Sequence, residues 1–383
     1  MPIEVHGSVA PGFEPVAEAF RANFNPAEPV PDIGASFAVV RDDETVVDLW
    51  AGHADPARTR PWRAETVTNV FSTTKGLAAA CLARLASLAR LDYEAPVARY
   101  WPEFAQAGKG TVTVAQALAH QAGVSGLREP TSVEDLFDWD LMVDRIARAE
   151  PLWPPGSTSG YHAITWGYIA GELVRRVDGR SIGAFLREEL AGPLGADVFI
   201  GLPQSEDGRY AVIARPPAEQ TQTLAEASEI LALTLGNPVI EGDAPNDRAW
   251  RAAEIPAAGG MANAVGLARF YAPLANGGAS RGRSYFTPEA IARATEVRFA
   301  GVDMNLGVAV RWGAGFFGNN AARWYGPSDA AFGHSGWGGS TGFFDPEQRL
   351  AVGFAMNQMD ANLNGDPRTI RLVGALYDCL ARR

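Results

Sequence analysis

The sequence predicts an α/β protein in which an antiparallel sheet, flanked by helices, is interrupted along the chain by a mainly helical region. Two observations lead to this prediction. Apolar runs with strand character lie near the beginning and in the last third of the chain, whereas apolar residues at helical spacing fill the middle. Strands at both ends can then join one sheet, with the helical part inserted between them. We therefore expect residues 1–75 and 201–383 to form an α/β domain, and residues 76–200 an inserted, mainly helical domain.

The first predicted elements are a hairpin and a helix. Residues 35–41 and 45–51 are apolar runs on either side of Asp42-Asp43-Glu44, and this pattern predicts two antiparallel strands. A helix is then predicted from Ser72 to the neighbourhood of Asp92. Its apolar residues recur at helical spacing: Leu77, Cys81, Leu85 and Leu88.

The chain then passes through helices into a second group of strands. Residues 92–150 predict short helices and loops, and residues 164–177 predict an amphipathic helix that ends at Gly179. Three further strands are predicted, over residues 306–312, 342–344 and 350–356.

A helix is predicted to close the chain. Asp366 is a favourable N-cap, and Pro367 is a favourable first helical residue. The predicted apolar stripe of this helix consists of Ile370, Val373, Tyr377 and Leu380.

Composition and charge argue against several classes of function. The chain has 383 residues, of which 47% are hydrophobic, and a net charge of −11. That charge disfavours nucleic acids and anionic membranes as partners, because both are bound through Lys and Arg. No apolar run approaches the roughly 18 residues of a membrane span. Residues 1–7 also lack the basic and apolar regions of a secretory signal, so we expect a cytoplasmic protein.

The cysteines and histidines indicate neither a disulfide nor a metal site. Cys81 and Cys379 lie far apart in sequence, which is typical of buried thiols in a chain of this size. The five histidines form no H-x-H, H-E-x-x-H or Cys/His cluster. The sequence therefore predicts no metal and no cofactor, and it leaves the oligomeric state open.

The basic residues are almost all arginine. Of the 33, only Lys75 and Lys109 are lysines. Lys109 lies between two glycines and is expected in a solvated turn. Lys75 follows Ser72 by three residues, and a lysine kept against such a bias is a candidate for proton transfer. Arginine cannot serve there, because it does not lose its proton in a protein.

Ser72 and Lys75 form the first candidate pair for catalysis. At the start of a helix, residues three apart lie on one face, so the amine of Lys75 can reach the Ser72 hydroxyl. A serine becomes a nucleophile when a neighbour accepts its proton. The helix N-terminus also offers N–H groups to an oxyanion. The alternative is an N-cap serine followed by a solvated lysine, which is the usual meaning of this spacing on its own.

Tyr161 is the second candidate. It stands just ahead of the helix predicted at residue 164 and shortly after the turn at residues 153–156. A buried tyrosine beside a lysine ammonium has a lowered pKa, because the positive charge favours the phenolate. This would make Tyr161 a general base. The alternative is a packing tyrosine whose hydroxyl is simply hydrogen-bonded.

The third candidate is the segment 333–339, with the sequence Gly-His-Ser-Gly-Trp-Gly-Gly. Its glycines allow a backbone and a ligand to approach closely. A strand edge at this position can present a second backbone N–H to an oxyanion. The alternative is a glycine-rich turn without a role in catalysis.

Together the three segments resemble a known family. Ser72-x-x-Lys75, Tyr161-x-Ala163 and His334-Ser335-Gly336 look like the three motifs of penicillin-recognising serine enzymes. The closest likeness is to class C β-lactamase-like esterases, the family VIII carboxylesterases. This resemblance implies the β-lactamase/transpeptidase fold, with the active site between the α/β and helical parts. The likeness continues, in the expected order, through residues 118–124, 161–179, 256–270 and 333–357.

The resemblance also implies roles for individual residues. Ser72 matches the acylated serine, Lys75 its partner and Tyr161 the tyrosine that moves the proton; which of the latter two is the base stays open. The N–H groups of Ser72 and Trp337 would form the oxyanion hole. The expected substrate-binding residues are those of the third motif and nearby aromatic residues: His334, Ser335, Gly336, Trp337, Trp153 and Phe71.

Two departures from the β-lactamase pattern bear on the substrate. Ala163 stands where β-lactamases usually carry asparagine, and His334 stands where they usually carry lysine. Both changes remove groups that hold a β-lactam, so the resemblance implies a carboxylesterase that acts on small, short-chain esters through an acylated Ser72. The alternatives are β-lactam hydrolysis, amide or peptide hydrolysis, acyl transfer on the same machinery, and a non-catalytic penicillin-binding-like module.

Two other motifs lack the context that they need. Residues 338–342 fit G-x-S-x-G around Ser340, but a strand rather than a helix is predicted to follow. Residues 313–318 fit the dinucleotide pattern G-x-G-x-x-G, but no long helix follows them. We therefore expect neither an α/β-hydrolase nucleophile at Ser340 nor a nucleotide site.

Overall fold

The computed structural model describes residues 3–217, 228–363 and 365–382. The strands in these residues are β1 (Val5–Val9), β2 (Gly34–Arg41), β3 (Glu44–Gly52), β4 (Thr68–Asn69), β5 (Val198–Ile200), β6 (Gly260–Ala262), β7 (Ala279–Ser280), β8 (Arg283–Ser284), β9 (Phe299–Val302), β10 (Ala309–Trp312), β11 (Phe317–Gly318), β12 (Phe332–Ser335), β13 (Thr341–Asp345) and β14 (Leu350–Met356).

The α-helices of the described residues are α1 (Glu14–Ala22), α2 (Thr73–Ser87), α3 (Val114–Leu118), α4 (Trp139–Arg148), α5 (Thr165–Asp178), α6 (Ile182–Phe185), α7 (Gly192–Leu194), α8 (Glu229–Leu235), α9 (Arg248–Ala252), α10 (Ala264–Ala275), α11 (Pro288–Thr295) and α12 (Pro367–Ala381). Short 3-10 helices and one π-helical segment, Leu186–Ala191, lie between them. Among these described helices, none is both long enough and apolar enough to cross a bilayer.

One antiparallel sheet of nine strands organises the molecule, in the order β1-β3-β2-β14-β13-β12-β11-β10-β9. Its decisive pairing joins β2 to β14, from Ala35 opposite Met356 to Arg41 opposite Leu350. The two ends of the chain therefore share one sheet, and the helices from α2 to α11 lie between β2 and β14 in sequence. The predicted fold class, an antiparallel sheet with a helical insertion, is confirmed.

The predicted hairpin and C-terminal strands are confirmed with small shifts of their ends. Strands β2 and β3 pair around Asp42 and Asp43, whose φ angles are 51° and 66°. Positive φ at both central residues matches the twist of a tight hairpin. Strands β13 and β14 pair across the predicted turn. The strand predicted from residue 306 begins only at Ala309.

Helix α2 is buried on nearly every side, rather than along one stripe as predicted. It packs against α5 and α11 and also contacts β12. Small residues such as Ala78 and Ala80 are as inaccessible as Leu77. The helix ends at Ser87, and Leu88, predicted to belong to the apolar stripe, is 39% exposed. A helix enclosed by neighbours carries apolar residues without a clear period.

Helix α12 begins where predicted but buries a different face. Its N-cap Asp366 accepts a hydrogen bond from the Arg368 N–H at 2.8 Å. Arg368 and Thr369 point into the molecule, and this rotates Ile370 outward, where it is 44% exposed. The buried face instead contains Leu372, Val373, Leu376 and Cys379.

Both lysines and both cysteines of the chain are buried. Cys81 and Cys379 are buried thiols, as predicted. The prediction of a solvated turn at Lys109 is wrong, because its side chain is inaccessible. Lys109 Nζ donates to the Gln106 carbonyl at 2.9 Å and to the Ala149 carbonyl at 2.5 Å. These carbonyls replace the water that the amine loses on burial.

A small sheet sets the path of the chain toward Ser72. Strand β6 pairs with both β4 and β5. Just after β4, the Val70 N–H donates to the Gly260 carbonyl at 2.9 Å. Strands of two or three residues are too short to show a period of two, and the sequence predicts none of them.

Candidate active site

Ser72 stands at a sharp turn between β4 and α2. It is the N-cap residue of α2, and the preceding Phe71 has a φ of +40°. Left-handed backbone is uncommon for a residue with a large side chain and stores strain. The turn is held by hydrogen bonds from the Thr74 hydroxyl to the Phe71 carbonyl and from the Val70 N–H to the Gly260 carbonyl. This turn presents the Ser72 hydroxyl at the first turn of the helix.

Lys75 is fully buried one helical turn after Ser72. Its Nζ lies 3.3 Å from Ser72 Oγ, 2.8 Å from the Ala163 carbonyl oxygen and 3.1 Å from that of Ala257. No carboxylate forms an ion pair with this amine within the described ranges. Burial therefore lowers the pKa of Lys75 well below its usual value.

Tyr161 completes a three-residue arrangement. Its hydroxyl donates to Ser72 Oγ at 2.7 Å, and Lys75 Nζ lies 4.7 Å from the centre of its ring. The expectation of a lowered tyrosine pKa is wrong: burial raises the pKa of Tyr161 above its usual value. Desolvation of the phenolate outweighs the hydrogen bond to Ser72, which lowers the pKa, and the negative charge of Asp303 adds to the rise.

Asp303 holds the backbone of Tyr161 in place. One oxygen of this buried carboxylate accepts from the Tyr161 N–H at 2.9 Å. The other accepts from the Ser159 hydroxyl at 2.8 Å and from the indole N–H of Trp312 at 3.3 Å. The sequence gives no signal for this role, because Asp303 lies 142 residues away in an unremarkable segment.

Two buried histidines pack behind Tyr161 and are held neutral. The backbone N–H of His162 donates to His120 Nδ1 at 3.0 Å, and the backbone N–H of Val124 donates to His162 Nε2 at 3.1 Å. Burial lowers the pKa of His162 to about 4 and that of His120 well below its usual value. The His120 ring lies 4.8 Å from the Tyr161 ring. These side chains support Tyr161 without adding charge.

The third motif lies on β12, opposite Tyr161. His334 is buried, and its Nδ1 lies 2.8 Å from the Ser335 carbonyl oxygen. Burial lowers the pKa of His334 to about 3, so the ring is neutral. The Ser335 hydroxyl lies 3.3 Å from the Tyr325 hydroxyl and 3.2 Å from that of Thr341. The motif therefore brings no positive charge to the site.

The turn after β12 lies directly against the segment that precedes Ser72. A Cβ at Gly336 would come within 2.1 Å of the Val70 carbonyl oxygen. The Trp337 ring packs edge-on against Phe71, with ring centres 5.3 Å apart. Neither the Ser72 N–H nor the Trp337 N–H donates to another group in the described part of the chain. Both amides are therefore available to a ligand.

Trp153 and Ser340 have different surroundings. Trp153 packs edge-on against His162 and donates to the Thr158 carbonyl at 3.3 Å, and both contacts belong to the segment around Tyr161. Ser340 is fully buried next to the residues that flank Ser72, where its hydroxyl donates to the Val70 carbonyl at 2.7 Å and lies 3.0 Å from the Thr73 hydroxyl. Strand β13 follows it at once, which is not the context of a nucleophile elbow.

The whole length of the chain can be compared with known proteins. A sequence profile of the β-lactamase family matches residues 27–375. The chain belongs to the β-lactamase family. The predicted resemblance and the predicted fold are thereby confirmed, and this β-lactamase-family protein is a serine hydrolase.

Of three similar proteins, two are named as esterases and one as a penicillin-binding protein homologue. The esterase/beta-lactamase LipL of Mycobacterium tuberculosis is 38% identical over 370 residues, which cover 93% of this chain and 83% of LipL. A crystal structure of a family VIII carboxylesterase is similar with a TM-score of 0.93 and 47% identity, over 98% of this chain and 100% of that one. A penicillin-binding protein homologue from Caulobacter crescentus has a TM-score of 0.93 and 45% identity, over 98% of this chain and 100% of the homologue.

The arrangement in this β-lactamase-family protein is suited to moving one proton at a serine. The Ser72 hydroxyl is flanked by an amine that favours its neutral form and by a phenol that keeps its proton. An amine of this kind can accept a proton, and a phenol of this kind can donate one. Two free amides lie on the other side, where negative charge can be stabilised.

Proposed function

We propose that the protein hydrolyses short-chain carboxylic esters through an acyl-enzyme formed on Ser72. The observation that carries this proposal is the position of Ser72 Oγ, within hydrogen-bond distance of both Lys75 Nζ and Tyr161 Oη. The similarity to an esterase/beta-lactamase and to a family VIII carboxylesterase supports ester hydrolysis.

Lys75 is the base in the first step. A neutral amine has two N–H donors and one lone pair, and two carbonyls, of Ala163 and Ala257, lie within reach of its donors. The lone pair is then left for the Ser72 proton. As the Ser72 oxygen bonds to the ester carbonyl carbon, its proton passes to Lys75 and the carbonyl oxygen becomes an oxyanion.

The two free amides receive that oxyanion. The N–H groups of Ser72 and Trp337 are the donors, since the turn after β12 packs against the residues before Ser72. When the tetrahedral species collapses, the bond to the alcohol oxygen breaks. Tyr161 gives its proton to the leaving alcohol. The Lys75 ammonium then returns a proton to the Tyr161 phenolate.

Water completes the cycle. It attacks the acyl carbon while one of its protons passes to Lys75, and the same amides hold the second oxyanion. The bond between the acyl carbon and Ser72 Oγ then breaks, and the Lys75 ammonium returns its proton to Ser72 Oγ. The products are a carboxylic acid, the alcohol released earlier, and the enzyme in its starting protonation state.

The neutral, aromatic character of the site favours esters over β-lactams. His334 supplies no positive charge for a substrate carboxylate, and Ala163 supplies no side-chain amide. Phe71 and Trp337 form an apolar wall beside the free amides. A small acyl or alcohol group can pack against this wall, whereas a charged bicyclic lactam would meet no side chain of opposite charge there. Short-chain esters such as acetates and butyrates are therefore the proposed substrates.

A substrate panel tests the proposal. We expect p-nitrophenyl acetate and butyrate to be hydrolysed faster than C12 and C16 esters, anilides, or a chromogenic cephalosporin, as measured by kcat/KM. Ser72→Ala should abolish this activity and fluorophosphonate labelling, whereas the matched serine variant Ser340→Ala should keep the label. A kcat/KM for the cephalosporin above that for butyrate would favour the β-lactamase alternative, which the name of LipL also suggests. A burst of product without turnover would favour a non-catalytic penicillin-binding-like module.

A further inference from the structure

The peptide group between Gly336 and Trp337 has a defined orientation. The Gly339 N–H donates to the Gly336 carbonyl at 3.1 Å, inside the turn that joins β12 to β13. In a trans peptide the C=O and the next N–H point to opposite sides. Since the Gly336 carbonyl points into this turn, the Trp337 N–H must point out of it. The direction of the proposed oxyanion donor therefore depends on how firmly the turn is held.

The start of α12 holds the other side of the same turn. Arg368 Nη2 donates to the Gly338 carbonyl at 2.7 Å, and the Thr369 hydroxyl donates to the Gly339 carbonyl at 2.9 Å. The Asp360 N–H also donates to the Gly338 carbonyl, at 3.1 Å. Successive carbonyls of the turn are thus fixed by neighbouring residues of one helix.

Arg368 is itself fixed by a buried charge cluster. Its guanidinium donates to Asp32 at 2.7 Å, to Asp366 at 2.6 Å and to the Gln358 carbonyl at 2.8 Å. The side chains of Arg368, Asp32 and Asp366 are at most 5% exposed. Removing two charged groups from water costs free energy that offsets much of their Coulombic attraction. Buried ion pairs therefore contribute little to stability. A planar guanidinium that bridges several acceptors is, however, a rigid support.

The glycines of the turn make this contact possible. Gly338 and Gly339 have φ angles of +97° and +118°. A Cβ at Gly339 would lie 2.3 Å from Asp366 Oδ2 and 2.8 Å from Arg368 Nη2. The turn therefore lies against the Asp366 and Arg368 side chains with no room for a side chain at Gly339.

We propose that Arg368 and Thr369 are positioning residues for ester hydrolysis, which act by fixing the turn that aims the Trp337 N–H at the oxyanion. This inference rests on the proposed function, in which the Trp337 amide is one of the two oxyanion donors. Arg368 and Thr369 act through the turn, since their recorded hydrogen bonds are to its carbonyls and to the buried charge cluster. Their effect is therefore expected on the transition state and not on the binding of the ester.

The matched variants Thr369→Val and Thr369→Ser test this proposal. Valine keeps the shape but removes the hydroxyl, whereas serine restores it. Removing an oxyanion donor costs about 10²–10³ in kcat, so a donor that is only loosened should cost less. We expect Thr369→Val to lower kcat by about 10-fold with KM within about twofold, and Thr369→Ser to recover most of it. Rates are expressed per active site titrated with a fluorophosphonate, so that unfolded protein does not count.

A trifluoromethyl ketone supplies the second readout. It forms a tetrahedral adduct with a serine and places an oxyanion where the transition state has one. We expect its Ki to rise in Thr369→Val by the same factor as kcat/KM falls, and to rise further in Arg368→Lys, whose single ammonium cannot bridge Asp32, Asp366 and Gly338 together. If Arg368→Lys does not fold, the Thr369 pair decides the question.

The outcomes separate this inference from the function on which it rests. Unchanged Ki and unchanged kcat per titrated site in Thr369→Val would overturn the positioning role, even if its melting temperature fell. A lower kcat with an unchanged Ki would overturn it as well. Binding of the ketone must be lost in Ser72→Ala; if that variant bound it as the wild type does, the proposed function would fail and the inference with it.

Discussion

Burial decides how protons are divided between Lys75 and Tyr161. A low-dielectric site disfavours charge on both groups, so the pKa of the amine falls and the pKa of the phenol rises. Burial therefore favours the neutral form of both groups on either side of the Ser72 hydroxyl, to which each is hydrogen-bonded.

Replacing Lys75 by arginine tests its role as the base. Arginine keeps a positive charge but does not give up its proton, so it cannot take the proton of Ser72. We expect Lys75→Arg to lose about 10²–10⁴ in kcat/KM for a butyrate ester, as Lys75→Ala does. If Lys75→Arg kept a rate near that of the wild type, the lysine would act only as a positive charge.

The pH dependence of the reaction reports the same group. Since burial lowers the pKa of Lys75 well below its usual value, the amine is free at lower pH than an exposed lysine. We expect kcat/KM to fall as acid protonates Lys75, at a lower pH than an exposed lysine would require. His334 has its pKa lowered to about 3 and should not define this limb. The control is His334→Gln, and a shift of the acid limb in that variant would assign the limb to the histidine.

At the level of elements, the connection between β9 and β10 supports Tyr161, the proposed general acid. Asp303 lies just after β9 and accepts hydrogen bonds from the Tyr161 N–H and the Ser159 hydroxyl, so one carboxylate ties this connection to the segment before α5. Its negative charge also contributes to the raised pKa of Tyr161, after burial and against the hydrogen bond to Ser72. Asp303 thus holds the backbone of Tyr161 and adds to the raised pKa of its phenol.

The variant Asp303→Asn should separate these effects. Asparagine has the same shape but no charge, and its amide nitrogen cannot accept the N–H groups that the carboxylate accepts. We expect kcat to fall by about 10-fold or more, within the range of a displaced acid–base group. The alkaline limb of kcat/KM should move to lower pH, because loss of the negative charge favours the phenolate.

An exposed carboxylate provides the control for this substitution. The Asp329 side chain is 75% exposed and forms an ion pair with Arg323. Asp329→Asn should leave both kcat and the alkaline limb as they are. If Asp303→Asn behaved in the same way, Tyr161 would not depend on Asp303 for its position or its proton.

At the scale of the whole molecule, lysine and arginine are divided by environment, and lysine occurs only in the interior. The chain has 31 arginines and only two lysines, and both lysine side chains are inaccessible. Each lysine amine is held by backbone carbonyls rather than by carboxylates. The exposed cationic positions are therefore all arginine, and the residue type that can become neutral is confined to the interior. The sequence indicates this division for Lys75 but not for Lys109, whose glycine neighbours are typical of an exposed turn.

Much of the fold follows from local patterns, and the remainder from contacts that no local pattern contains. The β2–β3 hairpin, the β13–β14 pair and the start of α12 are predictable because turn residues and an N-cap mark their ends. The buried faces of α2 and α12 are not, since they are set by what packs around them. Helix α10 is buried on most of its residues and so lacks the amphipathic period that predicts a surface helix.

In the active site, too, local motifs predict some residues and leave others to be found only in the folded chain. Ser72, Lys75 and Tyr161 are predictable because they occur in short motifs, and the structure brings all three together. The carbonyls of Ala163 and Ala257 that hold Lys75 are backbone groups, which leave no signature in a sequence. Asp303 acts across 142 residues, so only the folded chain reveals its contact with Tyr161.

The acyl-enzyme itself gives the most direct test of the account. The protein is mixed with p-nitrophenyl butyrate, quenched in acid within the first turnover, digested with trypsin and examined by mass spectrometry. Cleavage after Arg63 and Lys75 releases residues 64–75 with Ser72, whereas Ser340 lies in the separate peptide 324–349. We expect one butyryl group on the peptide of residues 64–75, located at Ser72 by fragmentation. A butyryl group on residues 324–349, or full turnover with no acylated peptide at any time, would contradict it.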